Sequence, residues 1–292
     1  MAAQNLVSAP EFPTIRKDVD EVNLTLTVTD GKGRFVQGLT QKNFVILDDR
    51  RPPASVNRFQ SLTELPLQLC VVIDASDSIS NYVKYQQEVA IGFLKRILRP
   101  GVDRACLVKF ATTPILVQDF TDDIQQLEAS VRRTNSEGTT AVWDAVRFTS
   151  VLMNRESTGG QVRRAVVLIT DGEDNASRAT FEEALQAALL AEITVEAVNT
   201  GLIEQPQARL HQLAKTTGGD IWRGENPKRL VGALARIEQS LRSGYFVAYQ
   251  PAGELSPGHF RKIQVKARGL KGKISHRSGY YVPKKREDAA LR

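Results

Sequence analysis

The segment Val71-Val72-Ile73-Asp74-Ala75-Ser76-Asp77-Ser78-Ile79-Ser80 joins a strongly apolar run to an aspartate and a series of hydroxyl side chains. The apolar run covers residues 67–73, which is the length of a buried strand, and it stops at Asp74. Open α/β sheets place their ligand sites just beyond the carboxyl ends of the strands. The sequence therefore predicts that Asp74, Ser76 and Ser78 lie together at such an edge.

Two further segments carry oxygen ligands of the same kind. One is Gly138-Thr139-Thr140, and the other is Val166-Val167-Leu168-Ile169-Thr170-Asp171-Gly172, a second apolar strand that ends in an aspartate. A set made only of oxygen atoms suits Mg²⁺, Mn²⁺ or Ca²⁺ and suits zinc poorly. We therefore predict a divalent-metal site, with Mg²⁺ the first candidate, formed by Asp74, Ser76, Ser78, Thr140 and Asp171.

The middle of the chain, residues 66–241, alternates apolar strands with amphipathic helices. Helix starts are marked by a capping box at Thr180–Glu183 and by Asn226-Pro227. This alternation predicts a doubly wound α/β domain, a mostly parallel sheet covered by helices on both faces. The predicted strands cover residues 67–73, 106–110, 115–120, 165–169 and 193–198, with a weaker one at 221–222.

The two ends of the chain have β character instead. Residues 22–29 alternate apolar and polar side chains with period two, and strand-like segments return at 245–249, 259–267 and 273–282. Neither end has many strands of its own. We therefore predict that residues 1–65 and 242–292 fold together into one β-sandwich into which the α/β domain is inserted.

Composition excludes several classes of protein. Of 292 residues, 41% are hydrophobic and 25% charged, and no apolar run approaches the length of a membrane span. The first residues have neither a basic start nor an apolar segment, so no signal peptide is expected in this sequence. The net charge of +6 is modest, and aromatic residues do not alternate with the basic ones, so no nucleic-acid partner is expected.

Cys70 and Cys106 each lie in a mainly apolar run. Free cysteine behaves as a small hydrophobic residue in such a place, and no metal-ligand spacing surrounds either one. We therefore expect both to pack in the core as thiols and not to form a disulfide.

In its three separated motifs the chain resembles the von Willebrand factor A family, which includes the integrin I domains. The resemblance covers residues 66–241 and rests on the order Asp74-x-Ser76-x-Ser78, Thr140, Asp171-Gly172. It implies a metal-ion-dependent adhesion site in which Ser76 and Ser78 bind the metal directly and Thr140 binds it directly or through water. Asp74 and Asp171 would hold coordinating waters.

The same resemblance implies a non-enzymatic function in protein binding. With hydroxyl ligands around it the metal keeps an open position, which an aspartate or glutamate of a partner protein would complete. Thr139 departs from the family, which commonly has a second glycine there, and Glu137 is expected either to add a ligand or to repel an acidic partner. The flanking segments, such as 27–30 and 279–283, resemble bacterial exported proteins with a related domain, so an extracytoplasmic location is expected.

Two other functions remain open. A magnesium phosphohydrolase of the haloacid dehalogenase type also starts from a strand-end aspartate, but it requires an acid two residues later, where this chain has Ser76. Binding of a polyanion would not need the metal and would weaken steeply with salt. It would use the basic residues Arg261, Lys262, Lys266, Arg268, Lys271 and Lys273.

Overall fold

A computed structural model of the chain describes residues 21–76, 83–134, 138–156, 161–171, 173–201 and 208–282. Ser78, Glu137 and Gly172 lie outside these ranges. Among the described helices, none is long and apolar enough to cross a membrane.

A six-stranded sheet forms the centre of the α/β domain, with the strand order β6-β5-β4-β7-β8-β9. Every neighbouring pair is parallel except β5 and β6, which are antiparallel. The strands are β4 (Leu67–Asp74), β5 (Arg104–Phe110), β6 (Pro114–Thr121), β7 (Arg163–Thr170), β8 (Thr194–Asn199) and β9 (Ile221–Arg223). The helices are α1 (Val83–Ile97), α2 (Ile124–Arg132), α3 (Val142–Arg155), α4 (Phe181–Leu190), α5 (Ala208–Thr217) and α6 (Pro227–Arg242).

The central strand β4 is buried along its whole length. Successive side chains of a strand point to opposite faces, so Val71 belongs to the core cluster that includes Phe93 of α1, while Val72 belongs to the cluster that includes Val146 of α3. A strand that is covered on both faces needs a continuous apolar run, which is what residues 67–73 provide. The predicted α/β class is confirmed.

Two predicted helix starts are confirmed by their hydrogen bonds. The Thr180 hydroxyl accepts from the Glu183 amide at 3.2 Å, and the Glu183 carboxylate accepts from the Thr180 amide at 2.8 Å. At α6 the Asn226 side chain accepts from the amide of Arg229 at 3.0 Å. Each cap satisfies backbone N–H groups that the first turn of a helix leaves free.

Both ends of the chain contribute strands to two antiparallel sheets. Their orders are β12-β1-β10-β3 and β13-β11-β2, so each sheet pairs amino-terminal with carboxy-terminal strands. The predicted β-sandwich built from the two ends of the chain is therefore confirmed as part of the fold. The strands are β1 (Val22–Asp30), β2 (Phe44–Asp48), β3 (Ser55–Ser61), β10 (Tyr245–Gln250), β11 (Phe260–Ala267), β12 (Gly272–His276) and β13 (Gly279–Tyr281).

The single strand predicted over 273–282 is wrong, because β12 and β13 belong to different sheets. The chain crosses between the sheets at Arg277, whose guanidinium donates to the Asn23 carbonyl at 2.7 Å. The Ser278 amide donates to the Thr216 carbonyl at 2.8 Å instead of to a strand. Long-range contacts of this kind leave no local signal in the sequence.

The thiol state expected for the two cysteines is also wrong, since Cys70 and Cys106 form a disulfide. Both are fully buried, as predicted. They are register partners on the parallel strands β4 and β5, with Cα atoms 4.7 Å apart, which lies within the range that a disulfide requires. The sequence shows the burial of each cysteine but not the register of the two strands.

The basic carboxy-terminal surface is smaller than its sequence suggested. Arg261 is 5% exposed, and its Nε donates to the buried Asp48 carboxylate at 2.7 Å. Lys273 forms an ion pair with Asp220 at 2.9 Å. Arg261 is therefore engaged within the fold, whereas Lys273 keeps an exposed side chain despite its ion pair, as do Lys262, Lys266, Arg268 and Lys271.

Candidate metal centre

Asp74 is the last residue of β4 and lies at the carboxyl edge of the sheet. Its side chain is 2% exposed. The carboxylate accepts a hydrogen bond from the Thr170 hydroxyl at 2.7 Å and from the Ser76 amide at 2.9 Å. Since Thr170 ends β7, these bonds join the ends of two neighbouring parallel strands. The orientation of the Asp74 carboxylate is therefore fixed by its surroundings.

The electrostatics around Asp74 favour a nearby cation. Burial raises the pKa of this carboxyl group, and hydrogen bonds from Thr170 and Ser76 only partly oppose that effect. Asp171 directly follows Thr170, which donates to Asp74, and its negative charge raises the pKa of Asp74 further. A cation between them would offset both the loss of water and the repulsion.

Ser76 follows two residues later and is also 2% exposed. The main chain before it is held by the Ala75 amide, which donates to the Phe110 carbonyl of β5 at 2.7 Å. Ser78, the third predicted residue of this segment, lies outside the described residues.

Thr140 reaches the same edge from the loop before α3 and is 4% exposed. The Ala141 amide donates to the Ala111 carbonyl at 2.8 Å, next to the carbonyl that Ala75 contacts. On its other side the Thr140 amide donates to the Asn175 side chain at 2.8 Å, and the Asn175 amide donates back to Thr140 at 3.0 Å. The loop is thus held between the end of β5 and the loop after β7.

The departure at Thr139 is accommodated by Thr112. The Thr139 amide donates to the Thr112 hydroxyl at 3.3 Å, and the two hydroxyls are 3.0 Å apart. Gly138 has a φ of +101°, and a Cβ there would lie 2.7 Å from the Thr112 hydroxyl. The glycine is therefore required both by its backbone and by the close approach of Thr112.

Asp171 is half-buried and directly follows Thr170. It accepts a hydrogen bond from the Glu173 amide at 3.4 Å, while the Glu173 side chain is exposed. The Gly201 backbone after β8 packs against it, since a Cβ on Gly201 would lie 3.1 Å from the Asp171 carbonyl oxygen. The ends of β4, β7 and β8 therefore meet around the two acids.

Asp174 is not the solvated loop acid that its neighbourhood in the sequence suggests. It is half-buried and accepts from the Val142 amide at 2.8 Å, at the start of α3. Ser177 accepts from the Trp143 amide at 2.9 Å, so the two residues together cap α3 from a distant loop. Ala141, the residue before α3, cannot supply a side-chain cap of its own.

Three residues that support the site were missed from the sequence: Thr170, Thr112 and Asn175. Thr170 offered a signal, because it is a polar residue at the end of the apolar run 166–169 and is fully buried. Thr112 and Asn175 offered none, since each acts on a loop that is distant in the sequence.

The donor set at this edge fits a hard divalent cation. Asp74, Ser76, Thr140 and Asp171 present only oxygen atoms, two carboxylates and two hydroxyls, as Mg²⁺ prefers. No cluster of three or more histidine, cysteine, aspartate or glutamate side chains able to hold a metal ion occurs in the described part of the chain.

Comparisons with known proteins agree with this architecture. Residues 69–173 match the family model described as von Willebrand factor type A domain. The chain is 24% identical over 258 residues to calcium-activated chloride channel regulator 1 from Bos taurus, which covers 84% of this chain and only 27% of that protein. The chain thus spans about a quarter of the length of this curated relative.

Two solved structures share the fold. A von Willebrand factor type A protein from Catenulispora acidiphila superposes with a TM-score of 0.53 at 13% identity, covering 93% of this chain and 74% of that one. The PilB minor pilin from Streptococcus sanguinis superposes with a TM-score of 0.50 at 13% identity, covering 66% and 63%. The α/β domain of this chain therefore has the fold of a von Willebrand factor type A domain, and its residues 69–173 match that family's model.

Proposed function

We propose that this chain is a non-enzymatic protein-binding module that depends on a divalent metal, with Mg²⁺ as the first candidate and Mn²⁺ or Ca²⁺ as alternatives. The von Willebrand factor A domain supports a function in adhesion or protein interaction in general. The finer proposal is that a partner protein presents an aspartate or glutamate that completes the metal coordination. The observation that carries it is the pair of acids, Asp74 and Asp171, gathered with buried hydroxyls at one edge of the sheet.

Each residue has a role in this proposal. The hydroxyls of Ser76, Ser78 and Thr140 would be ligands, and Asp74 and Asp171 would hold and orient the coordinating waters. Because the hydroxyls are neutral, a bound Mg²⁺ would keep enough charge to attract a carboxylate at an open coordination position. Thr170, Asn175 and Thr112 hold these residues in place through the hydrogen bonds described above.

The enzymatic alternative receives no support from the site. A phosphohydrolase of the haloacid dehalogenase type needs a carboxylic acid at position 76, and the serine there cannot donate a proton at neutral pH. Metal-independent binding of a polyanion is weakened as well, because Arg261 is buried in an ion pair with Asp48.

We also propose an extracytoplasmic location. The Cys70–Cys106 disulfide supports it, since disulfides persist in oxidising compartments and are rare in the cytosol. The similar structures include a pilin, which is compatible with the same location.

The first experiment is calorimetric titration of chelator-stripped protein with Mg²⁺ and Mn²⁺. We expect one saturable site that is lost in Asp74→Ala, Ser76→Ala and Asp171→Ala. Each variant should still show a cooperative unfolding transition on heating, which demonstrates that it is folded. Glu173→Gln is the matched control, because it removes an exposed acid two residues from Asp171 that is not proposed to hold metal or water. Retained binding in all three site variants would refute the proposed ligands.

The second experiment tests the partner. Proteins captured with and without chelator should differ, and a captured ligand should lose binding when its aspartate or glutamate is amidated. Capture that is unaffected by chelator and by Asp74→Ala would show that protein binding occurs elsewhere on the chain.

A further inference from the structure

A partly enclosed cavity of about 120 Å³ lies between the sandwich and the α/β domain. The sandwich contributes Asn23 of β1 and Arg277 after β12, and the α/β domain contributes Arg164 of β7 and Glu192 before β8. These α/β residues lie at the amino ends of their strands. The cavity is therefore at the opposite end of the sheet from Asp74 and is independent of the candidate metal centre.

Two buried polar atoms of the cavity walls have no hydrogen-bond partner in the described part of the chain. They are Nε of Arg277, a donor, and Oδ1 of Asn23, an acceptor. Arg277 is only 7% exposed, and its Nη2 is held by the Asn23 carbonyl at 2.7 Å. A buried donor or acceptor without a partner is costly, and folded proteins rarely leave one so. The cavity therefore suits a molecule that both accepts and donates a hydrogen bond.

The charges of the cavity walls indicate which kind of small molecule would bind there. Two arginines, Arg164 and Arg277, face one acid, Glu192, which leaves one net positive charge. The contacts of Glu192 with Arg277 and with the Asn23 amide nitrogen are both long, at 3.4 Å. Burial lowers the pKa of Arg164, and Glu192 only partly opposes that effect. The Arg164 guanidinium donates to the Gln68 side chain at 3.1 Å and to the Ala191 carbonyl at 3.4 Å, and both acceptors are neutral. Water would satisfy the hydrogen bonds but not the charge, whereas a monoanion would satisfy both.

We propose that this cavity binds a small carboxylate that also carries a hydroxyl group. The carboxylate would accept from Nε of Arg277 and from Arg164, and the hydroxyl would donate to Oδ1 of Asn23. The volume corresponds to about four water molecules, which matches a two-carbon or three-carbon hydroxy acid. Such a ligand would contact both domains at once.

The test is titration of the intact chain with glycolate. Binding is monitored through the side-chain N–H signals of Arg277 and Asn23 in ¹H–¹⁵N spectra. We expect saturable shifts of both signals, with an affinity in about the millimolar range for so small a ligand. Acetate, which lacks the hydroxyl, should bind several-fold more weakly and should leave the Asn23 signal unchanged. Sodium chloride at equal ionic strength is the control for screening.

Arg164→Gln should lower the affinity for glycolate at least about tenfold, as expected for loss of a charge-assisted hydrogen bond. Arg178→Gln, which removes the same charge at an exposed position outside the cavity, should not. The proposal is overturned if glycolate causes no saturable shift in the wild type, if chloride reproduces its shifts, or if both variants bind equally well. Mg²⁺ titration of the same samples keeps this result separate from that of the metal centre.

Discussion

Thr170→Val is the substitution that tests most directly how the fold prepares the candidate metal centre. The change keeps the shape of a fully buried side chain and removes the hydroxyl that donates to Asp74 at 2.7 Å. A short hydrogen bond to a carboxylate contributes about 1.5–3 kcal/mol, and water cannot replace it at a buried position. We therefore expect the free energy of unfolding to fall by about 2 kcal/mol and Mn²⁺ affinity to fall about 10-fold to 100-fold, the usual cost of losing a residue that orients a ligand.

Thr149→Val provides the matched control for this experiment. Thr149 is also fully buried, but its hydroxyl has no hydrogen-bond partner in the described part of the chain. The same chemical change should therefore leave stability unchanged or increase it, and should leave metal affinity unchanged. Urea denaturation followed by circular dichroism measures the first quantity, and calorimetry with Mn²⁺ measures the second. Wild-type metal affinity in Thr170→Val, or an equal loss in Thr149→Val, would refute the reasoning.

Three further predictions concern the loop at Thr139, the disulfide and the buried acid Asp103. Thr112→Val should lower Mn²⁺ affinity several-fold with little change in stability, because an exposed hydroxyl that holds the Thr139 loop is lost; unchanged calorimetric affinity would contradict it. Reduction of the Cys70–Cys106 disulfide should lower the free energy of unfolding by about 4 kcal/mol, from a closed loop with a sequence separation of 36; two free thiols in the oxidised protein, counted under denaturing conditions, would show that no disulfide forms. Acid should destabilise the protein through Asp103: burial raises the pKa of this acid, but hydrogen bonds from Arg99 and Arg242 outweigh that effect and lower it to about 2. The resulting stabilisation, at most about 2 kcal/mol after screening, is complete above the unfolded pKa near 4 and is lost as pH falls towards 2; denaturation curves of Asp103→Asn should lack this pH dependence.

The sequence predicts those parts of the fold that depend on local pattern. The run 67–73 had to be a strand covered on both faces, and Thr180 and Asn226 had to begin helices, because each of these depends on neighbours within a few residues. The clustering of Asp74 and Asp171 was predictable for a related reason. Each ends an apolar strand, and parallel strands bring their carboxyl ends to one edge of the sheet.

What the sequence could not predict depends on register or on contacts between distant loops. Cys70 and Cys106 meet only because the register of β4 and β5 places them directly opposite each other. Asp174 caps a helix that begins 32 residues before it, so its role cannot be read from the acidic loop in which it occurs. Arg261 lies next to Lys262 in a segment rich in basic residues, yet it pairs with Asp48, 213 residues away.

The position of the disulfide explains why stability and metal affinity should respond to different substitutions. It joins β4 to β5 four residues before Asp74, and the same strand pair continues until Asp74 lies opposite Phe110. The Phe110 carbonyl then holds Ala75, so the segment that carries Ser76 extends directly from a cross-linked pair of strands. Reduction would act mainly on the unfolded chain, by allowing it more conformations, and would leave the folded edge in place. Thr170→Val changes the edge itself. We expect the reduced protein to be less stable but to bind Mn²⁺ normally, and the Thr170→Val variant to bind Mn²⁺ weakly. Together these results would show that the disulfide stabilises the fold, whereas Thr170 orients the metal site.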